Sequence, residues 1–339
     1  MAEQAVPGLD VERLAAVLRE PLDLDPGLPL EAELISGGRS NITVGLRQGD
    51  RDWVLRRPPR GRRLPTAHSM GREFTVLGGL EGSAVPAPQP LFHCEDEAVI
   101  GAEFYVMERV DGRILRAPRD VDLDPAEARR CSFALVETLA AIHLLDVERA
   151  GLAELGRPAG YAERQVRRWI GQLDSGIRVT PGLRELGRRL ERAVPASSRA
   201  ALVHGDYRID NVVFDAADPG RVVAVLDWEM ATIGDPLADL GMLLMYWRRP
   251  GERCASEVHE ITTAPGFVER DELTAAYAAA TGFDLDGLDF FVALAHFKLA
   301  VIVAGIAARM EAGDTLGEGF GQIAQIPDLL VAEGLEVAL

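Results

Sequence analysis

The chain of 339 residues contains few cysteines and a single lysine. Cys94, Cys131 and Cys254 are odd in number and show no CxxC or Cys/His spacing, which argues against a disulfide framework or a zinc site and favours reduced thiols in the cytoplasm. Of the 36 lysine and arginine residues, only Lys298 is a lysine. Met1 to Gln4 lack the basic and apolar regions of a signal peptide, so none is predicted.

Long uninterrupted apolar runs are also missing. The longest apolar stretch, Phe290 to Ala308, contains His296 and Lys298, so we expect a buried helix and not a membrane span. The net charge of −17 argues against binding to nucleic acids or anionic membranes. We therefore expect a cytoplasmic globular protein with no nucleic-acid or membrane partner, and the oligomeric state stays unknown. The length suffices for one large domain or two lobes.

Two apolar, β-branched segments are the most informative part of the chain. The first runs from Leu202 to Phe214 and the second from Val223 to Glu229, with polar residues concentrated at their turns. The stretch between them is dense in Asp, Pro and Gly, which predicts a hairpin turn. Such a hairpin would bring Asp206 and Asn211, which precede it, close to Asp227, which follows it.

These three side chains suit phosphoryl transfer. A carboxylate such as Asp206 can orient and deprotonate an acceptor hydroxyl, while the Asn211 amide oxygen and the Asp227 carboxylate can hold Mg²⁺ on the phosphates. The spacing from Asp206 to Asn211 matches a kinase catalytic loop. Ordinary turns also contain Asp and Asn, but His204 and the later Gly234-Asp235-Pro236 segment occur in the order that favours a kinase.

The chain resembles the aminoglycoside phosphotransferase/choline kinase superfamily. The matching segments are His204 to Asn211, Leu226 to Glu229 and Gly234 to Leu240, and the likeness extends over nearly the whole chain. Within that superfamily, the chain most resembles the kinase-like domain found with acyl-CoA dehydrogenases. The resemblance implies an α+β fold of the bilobal protein-kinase type, with ATP and Mg²⁺ in the cleft. Residues 1–109 would form a small β-rich N-terminal lobe, and residues 110–339 a larger, mainly helical C-terminal lobe.

A glycine-rich turn precedes this region by a long interval. It lies between two predicted strands and comprises Gly37, Gly38, Ser40 and Asn41. Glycines let backbone amides approach a phosphate, and the two polar side chains add donors. A Gly-Gly hairpin is often only a hairpin. Ahead of a kinase catalytic loop, we interpret it as the flap over the nucleotide phosphates.

The resemblance also implies a cation, a helix carboxylate and an adenine-binding hinge. Arg56 occupies the strand position that usually carries a lysine, and Glu73 is placed to pair with it. Arginine can bind phosphates but is not equivalent to an ammonium group. A solvated Arg56 and an exposed helical Glu73 are the alternatives. The backbone near Glu108 and Val110 corresponds to the hinge that binds adenine.

We therefore predict an ATP- and Mg²⁺-dependent small-molecule kinase that phosphorylates a hydroxyl group. Its acceptor could be a hydroxyacyl-CoA, an aminoglycoside or a choline-like alcohol. Two other classes stay open. A nucleotide-binding pseudokinase that regulates a partner protein would explain the missing strand lysine. A metal-dependent hydrolase would use His204, Asp206, Asp227 and Glu229, although such enzymes normally contain more histidine ligands.

Overall fold

The computed structural model describes residues 6, 9–37, 41–58, 70–174, 176–195, 199–311 and 325–339. The strands are β1 Glu31–Gly37, β2 Ile42–Gln48, β3 Arg51–Arg57, β4 Pro90–Cys94, β5 Phe104–Glu108, β6 Ala201–Val203, β7 Val212–Phe214, β8 Val222–Val225 and β9 Thr232–Gly234. The helices are α1 Val11–Leu18, α2 Met70–Leu80, α3 Pro125–His143, α4 Tyr161–Gly171, α5 Pro181–Arg192, α6 Leu237–Tyr246, α7 Glu257–Glu260, α8 Arg270–Thr281, α9 Leu288–Glu311 and α10 Ile326–Glu336.

The chain forms two compact units. The first contains the residues up to Gly112 together with Val223–Ala231, and the second contains Arg113–Val222 and Thr232–Leu339. The sequence placed a lobe boundary after Arg109 and assigned residues 223–231 to the C-terminal lobe. In the structure, that segment packs with the first unit.

The first unit is built on an antiparallel sheet with the strand order β1-β2-β3-β5-β4. In its register, Arg56 of β3 lies opposite Tyr105 of β5. The apolar side chains of β3, such as Leu55, join a buried core that also contains Leu14 and Leu18 of α1. Burying each leucine contributes about 1.5–3 kcal/mol, so this core fixes the strands that carry the polar residues described below.

The second unit is mainly helical, and α9 is at its centre. This helix packs against α5, α6 and α10. At the contact with α6, a Cβ atom at Gly241 would lie 2.6 Å from the Phe291 carbonyl carbon, so only glycine allows this close approach. Helix α3 begins with a capping box. The Asp124 carboxylate accepts from two backbone amides, and the Glu127 carboxylate accepts from the Asp124 amide.

One helix among the described residues, Leu288–Met310, is long and apolar enough to cross a membrane by length and composition alone. In its most apolar window, 56% of the residues are buried inside the protein. Because buried core helices also meet this criterion, it is weak evidence for a membrane span.

The β-sheet unit and the helical unit together confirm the predicted α+β fold class. The turn between β7 and β8 was also predicted, and the Asp215 amide donates to the Arg221 carbonyl across it at 2.9 Å. The N-cap position of α6 is Pro236, and the helix begins at Leu237. The Asp235 carboxylate accepts from the Leu237 amide at 3.0 Å.

Candidate active site

Arg56 is the centre of a buried charged network in the first unit. Its Nη1 donates to Glu73 Oε1 at 2.6 Å, and its Nη2 donates to Asp227 Oδ1 at 2.9 Å. Strand β3 and helix α2 supply the first two residues, and the segment after β8 supplies the third. The structure therefore contains the Arg56–Glu73 contact that the sequence predicted, while the role of this pair in binding phosphate stays a prediction.

Burial governs the protonation of this network. The Glu73 side chain is 1% exposed, and burial raises its pKa to about 7 against the opposing charge of Arg56. Burial works to lower the pKa of Arg56, but the Glu73, Tyr105 and Asp227 side chains together raise it. Arg56 is thus a permanent cation. Its partner Glu73 can gain or lose a proton near neutral pH.

Asp227 adopts an unusual backbone conformation. Its φ and ψ of 67° and 57° lie in the left-handed region, which costs a non-glycine residue about 1–2 kcal/mol. The residues that follow form a short 3₁₀ helix, Trp228–Met230, whose first side chain is 1% exposed and donates to the Val225 carbonyl at 2.9 Å. Such local strain is often found at functional sites, where the surrounding packing holds it.

The end of the glycine-rich turn contacts this same segment. Asn41 is 4% exposed, and its Nδ2 donates to Glu229 Oε2 at 2.9 Å. Gly37 ends β1 and is paired with Ile42 of β2. Gly38 and Ser40, which the sequence also assigned to the phosphate flap, lie outside the described residues. The turn and the Asp227 segment are therefore joined within one unit.

The predicted hinge residues follow β5. Glu108 is exposed, and its amide donates to the Gln89 carbonyl at 2.8 Å. Any backbone contact of Glu108 with a base would therefore use its carbonyl oxygen. Val110 is half-buried in the irregular segment after the strand.

In the second unit, the loop after β6 presents Asp206. The Asn211 Nδ2 donates to the Asp206 carbonyl at 2.8 Å and to its Oδ2 at 3.2 Å. Arg208 Nε donates to the same Oδ2 at 3.2 Å. These contacts hold one carboxylate oxygen, and among the described residues they leave Oδ1 for a ligand. They also turn the Asn211 amide so that its oxygen is the atom available to a metal.

Asp239 braces the loop from helix α6. Its Oδ2 accepts from the His204 amide at 2.6 Å and its Oδ1 accepts from the Gly205 amide at 2.8 Å. Gly205 has a φ of 85°, a conformation that glycine adopts without strain. Burial works to raise the pKa of Asp239, but the hydrogen bond and charge of His143 hold it below its ordinary value. Asp239 is therefore an ionised brace for the loop.

The two buried histidines of this region orient other groups. His143 Nδ1 lies 2.6 Å from Tyr277 Oη, and its Nε2 lies 3.3 Å from Asp239 Oδ2. His204 Nδ1 accepts from the Asp206 amide at 3.2 Å. These contacts place both histidines where they orient neighbouring groups, Asp239 and Tyr277 for His143 and the Asp206 amide for His204.

Arg208 connects Asp206 to a second buried cluster. Its guanidinium lies 3.4 Å from Asp210 and stacks over the Tyr246 ring at 5.1 Å. The Tyr246 ring also stacks against His259, at 4.6 Å between centroids. Burial raises the pKa of Asp210 to about 6, and the charge of Arg208 opposes that rise. Arg208 therefore holds two neighbouring carboxyl groups in place.

The sequence interpretation missed one neighbour of the catalytic loop. Lys298 of α9 donates from Nζ to the Gly205 carbonyl at 2.6 Å, one residue before Asp206. The signal was present, because a single charged residue interrupts a long apolar helix. In the sequence, Lys298 argues only against a membrane span, because the 93 positions between it and Gly205 give no sign of the contact.

Each unit thus contributes a different chemical capacity. The first presents a permanent cation beside an Asp227 carboxylate, and the second presents a fixed carboxylate beside an amide oxygen. Among the residues with a described placement, no three His, Cys, Asp or Glu side chains form a group that could hold a metal ion. Mg²⁺ does not require such a cage, since it commonly binds one or two carboxylates together with substrate phosphates.

Comparison with known proteins identifies relatives along most of the chain. Residues 31–291 match a family model described as the phosphotransferase enzyme family. Acyl-CoA dehydrogenase family member 11 of Gallus gallus is 37% identical over 326 residues, which are 92% of this chain and 42% of that protein. The Homo sapiens protein of the same name is 37% identical over 305 residues, or 89% and 39% of the two chains. The chain therefore spans about two fifths of the length of these curated relatives.

Solved structures show the fold. A Ralstonia eutropha protein described as a candidate aminoglycoside phosphotransferase is 30% identical, with a TM-score of 0.82 over 97% of this chain and 98% of that one. Macrolide 2'-phosphotransferase type I is 22% identical, with a TM-score of 0.62 over 97% and 99% of the two chains, and shows the fold alone. The predicted resemblance is confirmed: the chain belongs to the phosphotransferase enzyme family, as a kinase-like enzyme with the fold of the aminoglycoside phosphotransferases.

Proposed function

We propose that the protein is an ATP- and Mg²⁺-dependent phosphotransferase that acts on a hydroxyl group of a small molecule. The observation that carries this proposal is the arrangement of the Asp206 loop. Asn211 and Arg208 fix Oδ2 of Asp206 and leave Oδ1 to accept a hydroxyl proton. In this role Asp206 orients the acceptor oxygen toward the terminal phosphorus and takes up its proton. The new oxygen–phosphorus bond then replaces the bond to the ADP leaving group.

Asn211 and Asp227 are our candidates for the metal ligands. The Asn211 amide donates through Nδ2, which leaves its oxygen for a cation, and Arg56 occupies only Oδ1 of Asp227. Both are hard oxygen ligands of the kind Mg²⁺ prefers. A bound Mg²⁺ would neutralise part of the charge on the phosphates.

The first unit supplies the proposed nucleotide contacts. Arg56 would bind the phosphates, with Glu73 fixing its guanidinium. Gly37, Gly38, Ser40 and Asn41 would cover the phosphates. The Glu108 carbonyl and the backbone of Val110 would bind adenine, since the Glu108 amide is already bonded to Gln89. Hydrogen-bond donors that are positioned in advance stabilise the negative charge of a transferring phosphoryl group.

Our preferred acceptor is a hydroxyacyl-CoA. The curated relatives carry the name acyl-CoA dehydrogenase family member, and this choice of acceptor takes the acyl-CoA class from that name. An aminoglycoside-like alcohol is the alternative, in keeping with the Ralstonia eutropha protein. A nucleotide-binding pseudokinase is the second candidate function, because Arg56 stands where kinases carry lysine and already bonds to Asp227.

The test measures acceptor-dependent ADP formation with Mg²⁺ and ATP, against pooled hydroxyacyl-CoAs and small alcohols. Asp206→Asn should lower turnover by about 10²–10⁴-fold, the usual contribution of a general base. It should still show thermal stabilisation by nucleotide. Asp218→Asn, in the exposed β7–β8 turn, is the matched control and should keep wild-type turnover.

Three results would each contradict part or all of this proposal. Nucleotide stabilisation without turnover on any acceptor would favour the pseudokinase. Equal turnover by wild type and Asp206→Asn would remove Asp206 from the chemistry. If nucleotide has no effect on stability or turnover, the entire proposal fails.

A further inference from the structure

Lys298 is a charged residue in a half-buried position. It lies in the middle of α9, whose sequence is otherwise strongly apolar, and it is the only lysine of the chain. Its Nζ donates to the Gly205 carbonyl at 2.6 Å, and a lysine ammonium has three donors in all. The contact with Gly205 therefore leaves Lys298 two further donors beside the Asp206 loop.

The described neighbours of Lys298 do not include a carboxylate in direct contact. Asp206 and Asp239 are near enough to act on it by charge. Their carboxylates are bonded to other donors, Asp206 to Arg208 and Asn211 and Asp239 to two loop amides. Burial lowers the pKa of Lys298, and the Arg168 and Arg208 charges lower it further. A cation that is partly removed from water and has no bonded anion is costly, so this half-buried position favours an anionic ligand.

A second cation, Arg168, contacts the same Trp169 ring as Lys298. The Arg168 guanidinium lies 5.2 Å from the Trp169 ring centroid, and Lys298 Nζ lies 5.9 Å from it. Trp169 itself is 7% exposed, whereas Arg168 is exposed. No ion pair is recorded for Arg168 with any residue whose placement is described. Two cations without bonded carboxylates thus contact one indole ring, in a chain with a net charge of −17.

We propose that Lys298, Arg168 and Trp169 form an acceptor subsite that binds an oxyanion, a carboxylate or a phosphate, on the molecule whose hydroxyl meets Asp206. Lys298 binds the oxyanion with its two remaining donors, Arg168 adds charge at the exposed side, and the indole ring covers both. The subsite selects anionic acceptors and repels polycationic ones. This inference rests on the proposed function, since it names the class of acceptor for that reaction.

Direct binding tests the subsite without turnover. Isothermal titration calorimetry would compare 3-hydroxybutanoate with its uncharged amide, 3-hydroxybutanamide, and a third titration would use inorganic phosphate. The wild-type protein should bind at least one of the two anions ten times more tightly than the amide. The preferred anion shows whether the subsite takes a carboxylate or a phosphate.

Three variants locate the effect. Lys298→Met should abolish the preference for the anion, and Lys298→Arg should keep most of it. Because Lys298→Met could also disturb the Gly205 loop, Arg168→Gln provides an independent test at an exposed position and should lower the preference severalfold. Arg167→Gln is the matched control, since this neighbouring residue is exposed and pairs with Glu163 at 2.6 Å. It should leave the preference unchanged.

Failure of this subsite differs from failure of the kinase proposal. If wild type binds the amide as tightly as both anions, the subsite is wrong whatever the turnover assay shows. An unchanged preference in both Arg168→Gln and Lys298→Met also overturns it. Anion preference in a protein that neither binds nor uses nucleotide would support the subsite and contradict the kinase.

Discussion

Acidification should destabilise the protein through His259, and the size of the effect follows from its burial. His259 is 1% exposed, stacks on Tyr246 and has Nδ1 2.8 Å from Ser256 Oγ. Burial lowers its pKa to about 3, and the charge of Arg248 adds to that. An unfolded histidine has a pKa of about 6.5, so between these two values the unfolded chain binds more protons. Stability therefore rises with pH through this window and is lost as the pH falls.

The free energy of unfolding should fall by about 2 kcal/mol between pH 7 and pH 5. Below the unfolded-state pKa of about 6.5, each pH unit costs about 1.36 kcal/mol, and pH 5 lies about 1.5 units below it. This figure depends little on the folded-state pKa, because pH 5 lies well above 3. The perturbation is His259→Gln, which removes the titrating group and keeps a polar side chain near Ser256.

Urea denaturation of both proteins at pH 8, 7, 6 and 5 measures the effect. The free energy of unfolding of wild type should fall relative to that of His259→Gln by about 2 kcal/mol from pH 7 to pH 5. Between pH 7 and 8 the two should change almost in parallel. A constant difference from pH 8 to pH 5 would show that His259 takes up its proton as easily in the folded protein as in the unfolded chain.

Two further predictions concern the candidate site. Arg56→Met should cost about 3–5 kcal/mol of unfolding free energy at pH 8, because it leaves the Glu73 carboxylate buried and unpaired. Adding Glu73→Gln should recover most of the loss. The loss should also shrink as the pH falls, because removal of Arg56 raises the pKa of the buried Glu73 further and its carboxyl then takes up a proton. Urea denaturation of the double-mutant cycle measures both effects, and additive losses would contradict the pairing. Asp239→Asn should cost about 1.5–3 kcal/mol by weakening two loop hydrogen bonds, and should lower turnover without changing nucleotide affinity. Equal losses of turnover and of nucleotide affinity would indicate a general folding defect.

The sequence predicted best the features that depend on neighbouring residues. The spacing from Asp206 to Asn211 places both in one short loop with a 3₁₀ turn, so their hydrogen bond follows from local geometry. The pairing of Arg56 with Glu73 was predicted from the resemblance to kinases. In the structure, Arg56 Nη1 lies 2.6 Å from Glu73 Oε1. The chemical roles of these residues are still predictions that the proposed assays test.

Contacts between distant segments could not be predicted in the same way. Lys298 reaches Gly205 across 93 positions, and Asn41 reaches Glu229 across 188. Neither spacing carries a periodic signal, because the contact depends on how helices and strands pack. The unit assignment of residues 223–231 is a similar case, since a segment that follows the catalytic loop in sequence packs with the sheet of the other unit.

A single lysine makes the protein suited to selective amine chemistry. Reductive methylation with ¹³C-formaldehyde keeps the positive charge of the ammonium group and would modify one side chain, Lys298, together with the terminal amine of the chain. The resulting spectrum would contain one lysine resonance. It would come from Lys298, whose ammonium group contacts Gly205, the residue before Asp206. Most proteins of this size would need many substitutions to obtain so local a probe, whereas this chain contains it without any change of sequence.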